Sequence, residues 1–238
     1  MNFSLPPIGL AVTLLLFTTI PMDVQAQPDG SAEISLNGKT HSVRWLDGDT
    51  LSIESGRRRG MKARLVGYNT LESYGPVHRW GDWSPTELYT IAKAAKQSAA
   101  KERWNCSTRG KKDSYDRLLV DCPDLRRELL RTGIAHLFAY NADPDPGDLE
   151  LQRKARQAQV GIWEKGRPEH IVSNVHADDT GRVFLRIVST RSGKTEVQHQ
   201  REDFEPCDEI CHGPSVSGSC MLFVPHELRR DEAPACIK

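Results

Sequence analysis

Alternating apolar and polar positions predict that the first domain of the chain opens as a β-meander. The segment 39–55, KTHSVRWLDGDTLSIES, has two apolar and β-branched runs around Asp47 and Gly48, a pair typical of a hairpin turn. MKARLVGY, residues 61–68, predicts a third strand. RWNCSTRG and RLLVDC, which begin at Arg103 and Arg117, predict two further short strands.

A long amphipathic segment lies between the third and fourth predicted strands. In SPTELYTIAKAAKQSAAKERW, Ser84 is placed as an N-cap and Pro85 as the first helical residue, and Glu87 completes a capping box. Apolar residues from Leu88 to Ala99 then recur at helical spacing. These features predict a helix with a well-defined start.

Two shorter helices are predicted after the strands. DLRRELLRTG has Asp124 at its start and Gly133 as a C-terminal stop, and DLELQRKARQAQVG runs from Asp148 to Gly161. The order is three strands, one helix, two strands and two helices. It favours an α+β fold, mainly a β barrel, of the five-stranded Greek-key OB type with three helices, over a parallel sheet.

The composition divides the chain into three parts. Residues 1–26 have an apolar run and a small-residue ending, which predict a signal peptide and a secreted or periplasmic protein. Because no Lys or Arg precedes that run, a retained N-terminal anchor stays an alternative. We expect no membrane contact after signal cleavage. Residues 27–168 form the predicted OB-type domain, and 169–238 form a small acidic, cysteine-rich extension of strands and loops.

A net charge of zero conceals an asymmetry between the two mature parts. Residues 27–168 carry 24 Lys and Arg against 19 Asp and Glu, whereas residues 169–238 carry 8 against 12. The domain therefore has a net charge of +5 and the extension of −4. The domain is the part suited to a polyanionic partner, although the excess alone is weak evidence.

Six cysteines in an exported chain predict disulfides. We expect Cys106 to pair with Cys122, because a hairpin could place them opposite each other on neighbouring strands. The extension allows three pairings, and zinc binding by its cysteines with His212 is an alternative. The four cysteines of the extension are Cys207, Cys211, Cys220 and Cys236.

Polar side chains of the predicted strands could meet at one end of the sheet. Asp49 begins the second strand, Arg64 lies in the third, and Arg117 begins the fifth. The third strand ends at a turn that carries Asn69, Thr70 and Glu72. Oxygen ligands can hold a hard cation, arginines can neutralise a phosphate, and a carboxylate can activate water. Together these groups predict phosphodiester chemistry, although each residue alone has an ordinary structural explanation.

The order of these motifs resembles the staphylococcal nuclease, or thermonuclease, family. WLDGDTLSI, ARLVGYNTLE, the capped helix, DSYDRLLV, LLRTGIAHLF and ARQAQVGIW follow one another as they do in that family, over about residues 39–163. The resemblance implies an OB barrel with added helices. It also implies a Ca²⁺-dependent nuclease that acts on DNA and RNA.

The resemblance assigns roles to individual residues. Asp49 corresponds to the first calcium ligand, and Thr70 to the residue whose backbone carbonyl also binds the metal. Arg64 and Arg117 correspond to the two arginines that bind the phosphate. Glu72 corresponds to the residue that activates water, and Tyr115 corresponds to a tyrosine beside the nucleotide.

Three positions depart from the family pattern. Asn69 stands where the family has a metal-binding aspartate, so the site keeps an oxygen ligand but loses one charge, and we expect weaker Ca²⁺ binding. Leu71 replaces a proline. Asp116 stands where glycine is common and is expected to add a negative charge beside Arg117.

The sequence thus predicts a secreted, calcium-dependent endonuclease that cleaves DNA and RNA, preferentially single-stranded, with little sequence specificity and leaves 3′-phosphate ends. A catalytically weakened nucleic-acid-binding module is one alternative. A secreted interaction protein that works through its cysteine-rich extension is another. Nuclease activity is expected to survive truncation after Pro168, whereas an interaction function would be lost.

Overall fold

The structure is a computed structural model, and it describes residues 30–177, 183–200, 204–213, 218–229 and 236–237. The predicted signal peptide, residues 1–26, lies outside the described residues.

Strands dominate the described part of the chain, and three α-helices accompany them. The strands are β1 (Ser31–Leu36), β2 (Lys39–Trp45), β3 (Thr50–Ile53), β4 (Lys62–Leu65), β5 (Gly67–Thr70), β6 (Val77–Arg79), β7 (Trp104–Cys106), β8 (Leu118–Val120), β9 (Ala135–Phe138), β10 (His170–Ala177), β11 (Val183–Ser189), β12 (Thr195–Gln200), β13 (Glu209–His212) and β14 (Ser219–Leu222). The helices are α1 (Pro85–Ala100), α2 (Pro123–Arg131) and α3 (Pro146–Ala158).

The main sheet has six strands in the order β7-β1-β2-β3-β4-β8. Neighbouring strands are antiparallel except for β1 with β7 and β4 with β8, which are parallel. A bridge between Ser107 and Asp121 connects the two ends of the sheet, so the sheet curls around a core that includes Trp45, Tyr68 and Leu125. This core holds the strands that carry the predicted site.

The observed sheet differs from the predicted five-stranded barrel, which is not confirmed. The structure adds β1 and divides the predicted third strand, residues 61–68, between β4 and β5. β5 leaves the main sheet and pairs with β9 instead. The mixed architecture of strands with three helices agrees with the prediction.

The helices begin where local sequence signals place them, with one exception. Ser84 and Glu87 form the predicted capping box at the start of α1. α3 begins earlier than predicted, because Asp145 accepts hydrogen bonds from the backbone N–H groups of residues 147 and 148. Asp148 was predicted to begin this helix, but it lies buried inside it and pairs with Arg126.

The C-terminal extension is built into the domain. β10, β11 and β12 form an antiparallel sheet, and β13 and β14 form a second sheet with β6. Because β6 belongs to the domain segment, this pairing crosses the predicted boundary at residue 168. A separate apolar core, which includes Val175, Leu185 and Met221, lies between the two sheets.

All six cysteines form disulfides. Cys106 pairs with Cys122, as predicted, and their Cα atoms lie 4.2 Å apart. The extension uses one of the three possible pairings, and the zinc alternative is wrong because no cysteine is free to bind metal. The extension disulfides are Cys207–Cys236 and Cys211–Cys220. Disulfides of this number indicate an oxidising, extracellular environment.

Within the described ranges, no helix has both the length and the apolar character needed to cross a membrane.

Candidate active site

One large cleft, of about 1050 Å³, brings the predicted site residues together. β3, β4 and β5, the loop before β8, and strands of the extension all contribute to its walls. Every residue to which a catalytic, metal-binding or substrate-binding role was assigned lines this cleft. These residues are Asp49, Arg64, Asn69, Thr70, Glu72, Tyr115 and Arg117.

A tight turn between β2 and β3 positions Asp49. The side chain of Asp47 accepts the backbone N–H of Asp49 at 2.9 Å, which fixes the turn. Gly48 is needed there because a Cβ atom would lie 2.5 Å from the side chain of Thr70. Asp49 is then directed at Thr70, whose backbone N–H and hydroxyl both donate to its Oδ2, at 2.8 and 3.1 Å. The turn therefore connects the first predicted metal ligand to the third.

Arg64 lies at the centre of the site. Its guanidinium forms an ion pair with Asp49 Oδ1 and donates a hydrogen bond to Asn69 Oδ1. One cationic group thus bonds two of the predicted ligand oxygens, which shows that the two oxygens converge. Burial lowers the pKa of Arg64, partly offset by Asp47, whose carboxylate favours the charged form.

Asn69 is held by a chain of hydrogen bonds from the extension. Its Nδ2 donates to Ser173 Oγ at 2.6 Å. The pairing of β10 with β11 shifts register between Val172 and Asn174, so Ser173 is an extra, bulged residue of β10. A bulge of this kind changes the direction of the side chain relative to a regular strand. Ser173 is fully buried and lies behind Asn69, so the extension supports this part of the cleft wall from inside the protein.

The chain of hydrogen bonds continues from Ser173 to His136, and the donor and acceptor of each bond can be assigned. Nδ1 of His136 lies 2.8 Å from the carbonyl oxygen of Leu137, which can only accept, so Nδ1 carries the proton. Nε2 can then accept from Ser173 Oγ at 3.5 Å. Burial lowers the pKa of His136 to about 4, which keeps the ring neutral. An amide at residue 69 satisfies this arrangement, because it supplies the N–H that Ser173 accepts.

The charges of Asp47 and Arg64 act on the carboxyl group of Glu72 in opposite directions. Burial and then the negative charge of Asp47 raise the pKa of Glu72 to about 7, against the opposing effect of Arg64. The backbone N–H of Glu72 donates to Nε2 of His78 at 3.0 Å. His78 lies on β6, opposite Met221 of β14. The extension therefore supports the loop that carries Glu72.

The loop before β8 presents Arg117 and Tyr115. Asp113 accepts from the backbone N–H of Arg117 at 2.9 Å and from its side-chain Nε at 2.7 Å. Burial opposes ionisation of Asp113, but these hydrogen bonds prevail and lower its pKa. The guanidinium of Arg117 also lies 5.4 Å from the ring centre of Tyr115.

Asp116 does not weaken Arg117 as expected. Its carboxylate is largely exposed and pairs with Lys112 at 2.7 Å, whereas Asp113 is the carboxylate that contacts Arg117. Asp116 has a φ of +62°, the left-handed conformation that glycine adopts without strain. This backbone conformation gives the physical reason why glycine suits the position.

The oxygen donors around Arg64 fit a hard divalent cation in their chemistry. Asp49 supplies a carboxylate, Asn69 supplies an amide oxygen, and Thr70 belongs to the same strand end. Since Arg64 bonds Asp49 and Asn69, a cation on these oxygens would compete with its guanidinium. Among the described residues, the one cluster of three potential metal-binding side chains elsewhere consists of Glu209 and the disulfide-bonded Cys211 and Cys220.

Several residues that line the cleft or support it from behind escaped the sequence analysis. Asp47 was treated as a turn residue, although its place in the DGD motif was a usable signal. His78 and Ser173 support Glu72 and Asn69 through contacts that no local pattern indicates. Arg186 lines the cleft from β11, where it occupies an ordinary polar position of an alternating strand.

Comparison with known families suggests a nuclease-type fold for part of the chain. Residues 62–165 match the model of the SNase family, described as staphylococcal nuclease homologue. The matched segment includes Arg64, Asn69, Glu72 and Arg117. The resemblance is confirmed for this segment, which is consistent with an SNase-like family whose members are generally nucleases. No curated protein matched the chain.

Proposed function

We propose that the protein is an exported, Ca²⁺-dependent endonuclease that hydrolyses phosphodiester bonds of single-stranded DNA and RNA with little sequence preference. The observation that carries this proposal is the convergence of Arg64, Arg117 and Glu72 on a cleft with the oxygens of Asp49 and Asn69. A binding module needs cations, but it has no need of a partly buried carboxylate such as Glu72 beside them.

Each side chain has a distinct role in the proposed reaction. Arg64 and Arg117 bind the phosphate and stabilise the charge that builds up on its oxygens as water attacks. Glu72 accepts a proton from that water, and a pKa near 7 suits a general base at neutral pH. The water oxygen bonds to phosphorus, the bond to the 5′-oxygen breaks, and the leaving 5′-oxygen takes up a proton from solvent. The products are a 3′-phosphate and a 5′-hydroxyl.

Asp49, Asn69 and Thr70 would hold the cation. When bound, Ca²⁺ would polarise a phosphoryl oxygen and neutralise part of its charge. With one carboxylate among its three ligands, the site should hold Ca²⁺ weakly. Competition with Arg64 for Asp49 and Asn69 further supports weak binding.

The proposal is tested by cleavage of a labelled single-stranded DNA by the mature protein, with Ca²⁺ titrated against EDTA. We expect Ca²⁺-dependent cleavage at internal positions. The new 5′ ends should accept phosphate from a polynucleotide kinase without phosphatase treatment, because they carry hydroxyl groups. RNA of the same sequence should be cleaved as well.

The alternatives give different results in the same assay. DNA binding without cleavage at any Ca²⁺ concentration would indicate the weakened binding module, for which Asn69 in place of aspartate is the supporting observation. If the protein neither binds nor cleaves DNA, the nuclease and the binding module are both overturned, and an interaction role for the extension is left. Cleavage that is undiminished in EDTA would refute the role of the metal.

A further inference from the structure

The sheet of β10, β11 and β12 has two chemically different faces. Along β11, Val183, Leu185 and Ile187 point into the apolar core of the extension and are buried. Phe184 and Arg186 alternate with them and are partly exposed. The first face packs into the apolar core and stabilises the extension, whereas the side chains of the second face do not belong to that core.

Aromatic side chains form a row across the second face. His176, Phe184 and His199 are direct neighbours on β10, β11 and β12. The rings of His176 and Phe184 are nearly parallel, with centres 5.0 Å apart and an angle of 18° between their planes. Phe184 and His199 lie 6.2 Å apart. Since the faces of His176 and Phe184 are stacked on each other, such a row offers its exposed ring edges to unpaired bases.

This row continues into the cleft. Tyr115, on the loop that carries Arg117, stacks on His176 at 6.1 Å with an interplanar angle of 21°. Tyr115 is 52% exposed, and His176 and Arg186 line the same cleft as the predicted catalytic residues. The aromatic row is therefore an extension of the cleft wall.

The second face carries a cation suited to a phosphate backbone. The guanidinium of Arg186 lies 5.8 Å from the ring centres of both Phe184 and Tyr140, and it donates to Nε2 of His176 at 3.0 Å. Burial lowers the pKa of His176 to about 4, assisted by Arg186, so the imidazole stays neutral and stacks as an uncharged ring. Bases and phosphates would thus find aromatic ring edges and a fixed positive charge together.

We propose that the second face of the β10–β12 sheet, with Phe184, His176 and Arg186 at its centre, is a binding subsite for single-stranded nucleic acid that extends the catalytic cleft. Bases pack edge-to-face against Phe184 and His176, whose flat faces are stacked on each other, and Arg186 contacts a phosphate. This inference rests on the proposed function for its substrate class. The C-terminal extension would then bind the part of the nucleic-acid strand that lies beyond the cleaved bond.

The test compares a long and a short substrate in the full-length mature protein. Binding of an oligothymidylate of about twelve nucleotides is measured by fluorescence anisotropy in EDTA with the Glu72→Gln background, so that no cleavage occurs. Hydrolysis of the thymidine dinucleotide is measured with Ca²⁺ and Glu72 intact. The variants are Phe184→Ala, Phe184→Tyr and Arg186→Gln. Arg191→Gln is the matched control, because Arg191 belongs to the extension but is 72% exposed and pairs with Glu169.

The variants should affect only the long substrate. Phe184→Ala and Arg186→Gln should each weaken oligomer binding roughly tenfold, while Phe184→Tyr and Arg191→Gln should change it less than about twofold. Arg186→Gln should also reduce the slope of log Kd against log salt by about 0.7, the value for one phosphate contact on a single strand. Dinucleotide kcat/KM should stay within about twofold. Unfolding temperatures of all variants serve as the folding control.

Failure of this inference can be told from failure of the proposed function. Oligomer binding that is unchanged in both Phe184→Ala and Arg186→Gln overturns the subsite, whether or not the protein cleaves DNA. Weakened binding in these variants of a protein that cleaves neither substrate supports the subsite and refutes the nuclease proposal. Absence of oligomer binding by the wild-type protein overturns the subsite, and the face is then left for a protein partner.

Discussion

Glu72→Gln should stabilise the metal-free protein at alkaline pH while it removes the proposed base. The pKa of Glu72 is raised from 4.5 to about 7, first by burial and then by Asp47. Between these two pH values, the folded protein keeps a proton that the unfolded chain has already lost. The free energy of unfolding therefore falls as pH rises through this window, and the loss is complete above about pH 7.

The size of this effect follows from the pKa difference. Each pKa unit of difference corresponds to about 1.4 kcal/mol, so ionised Glu72 costs at most about 3.5 kcal/mol in the fold. Glutamine has nearly the same shape but no charge, and its variant lacks this cost. Relative to the wild type, Glu72→Gln should gain up to about 3 kcal/mol between pH 5 and pH 8.

Urea unfolding in EDTA at several pH values, with the disulfides intact, measures this gain. EDTA is needed because a bound cation would change the charge around Glu72. Glu102→Gln is the control, since Glu102 is exposed. A stability difference between Glu72→Gln and wild type that does not vary between pH 5 and pH 8 would refute the claim that Glu72 is ionised against its surroundings.

Three further predictions concern the metal ligands and the extension. Asn69→Asp adds a carboxylate beside Asp49, so calorimetry should show Ca²⁺ affinity increased roughly tenfold; unchanged affinity would exclude residue 69 as a ligand. Ser173→Ala leaves Nδ2 of Asn69 and Nε2 of His136 without a partner, so the free energy of unfolding in urea should fall by about 1–3 kcal/mol; no loss would refute this contact. Truncation after Pro168 removes β14 and Ser173, so we expect most hydrolysis of single-stranded DNA to be lost, contrary to the expectation from sequence, and full activity would show that the extension is dispensable.

Local signals in the sequence predicted those elements that depend on neighbouring residues. The turn at Asp47 and Gly48 and the capping box at Ser84 were predicted correctly, because each is determined within a few residues. The start of α3 was wrong, since Asp145 caps the helix and Asp148 makes a buried ion pair with distant Arg126. Which of the two aspartates caps the helix thus depends on the tertiary contact between Asp148 and Arg126.

Strand pairings over long distances were beyond local patterns. β5 pairs with β9, and β6 pairs with β14, which lies more than a hundred residues further along the chain. Both β6 and β14 are short, so their alternation is too brief to identify their partners. The sequence therefore predicted an appended extension where the structure has a shared sheet.

The site was predictable where motifs carry it and unpredictable where the fold completes it. Arg64, Glu72 and Arg117 were identified from the order of motifs, and the structure gathers them in one cleft. The packing of the extension brings Arg186 into the cleft wall and places Ser173 behind Asn69. Serine at an irregular strand position and arginine at an alternating one are ordinary in sequence, so only the three-dimensional arrangement reveals them.

The central claim is that Glu72 acts in a cleft that hydrolyses phosphodiester bonds. The most direct test measures hydrolysis of single-stranded DNA at saturating Ca²⁺ by the wild type, Glu72→Gln and the exposed control Glu102→Gln. We predict that kcat falls at least roughly a hundredfold in Glu72→Gln, with KM changed only a few-fold, and that Glu102→Gln matches the wild type. Equal rates in all three proteins, or no hydrolysis by the wild type, would contradict the account.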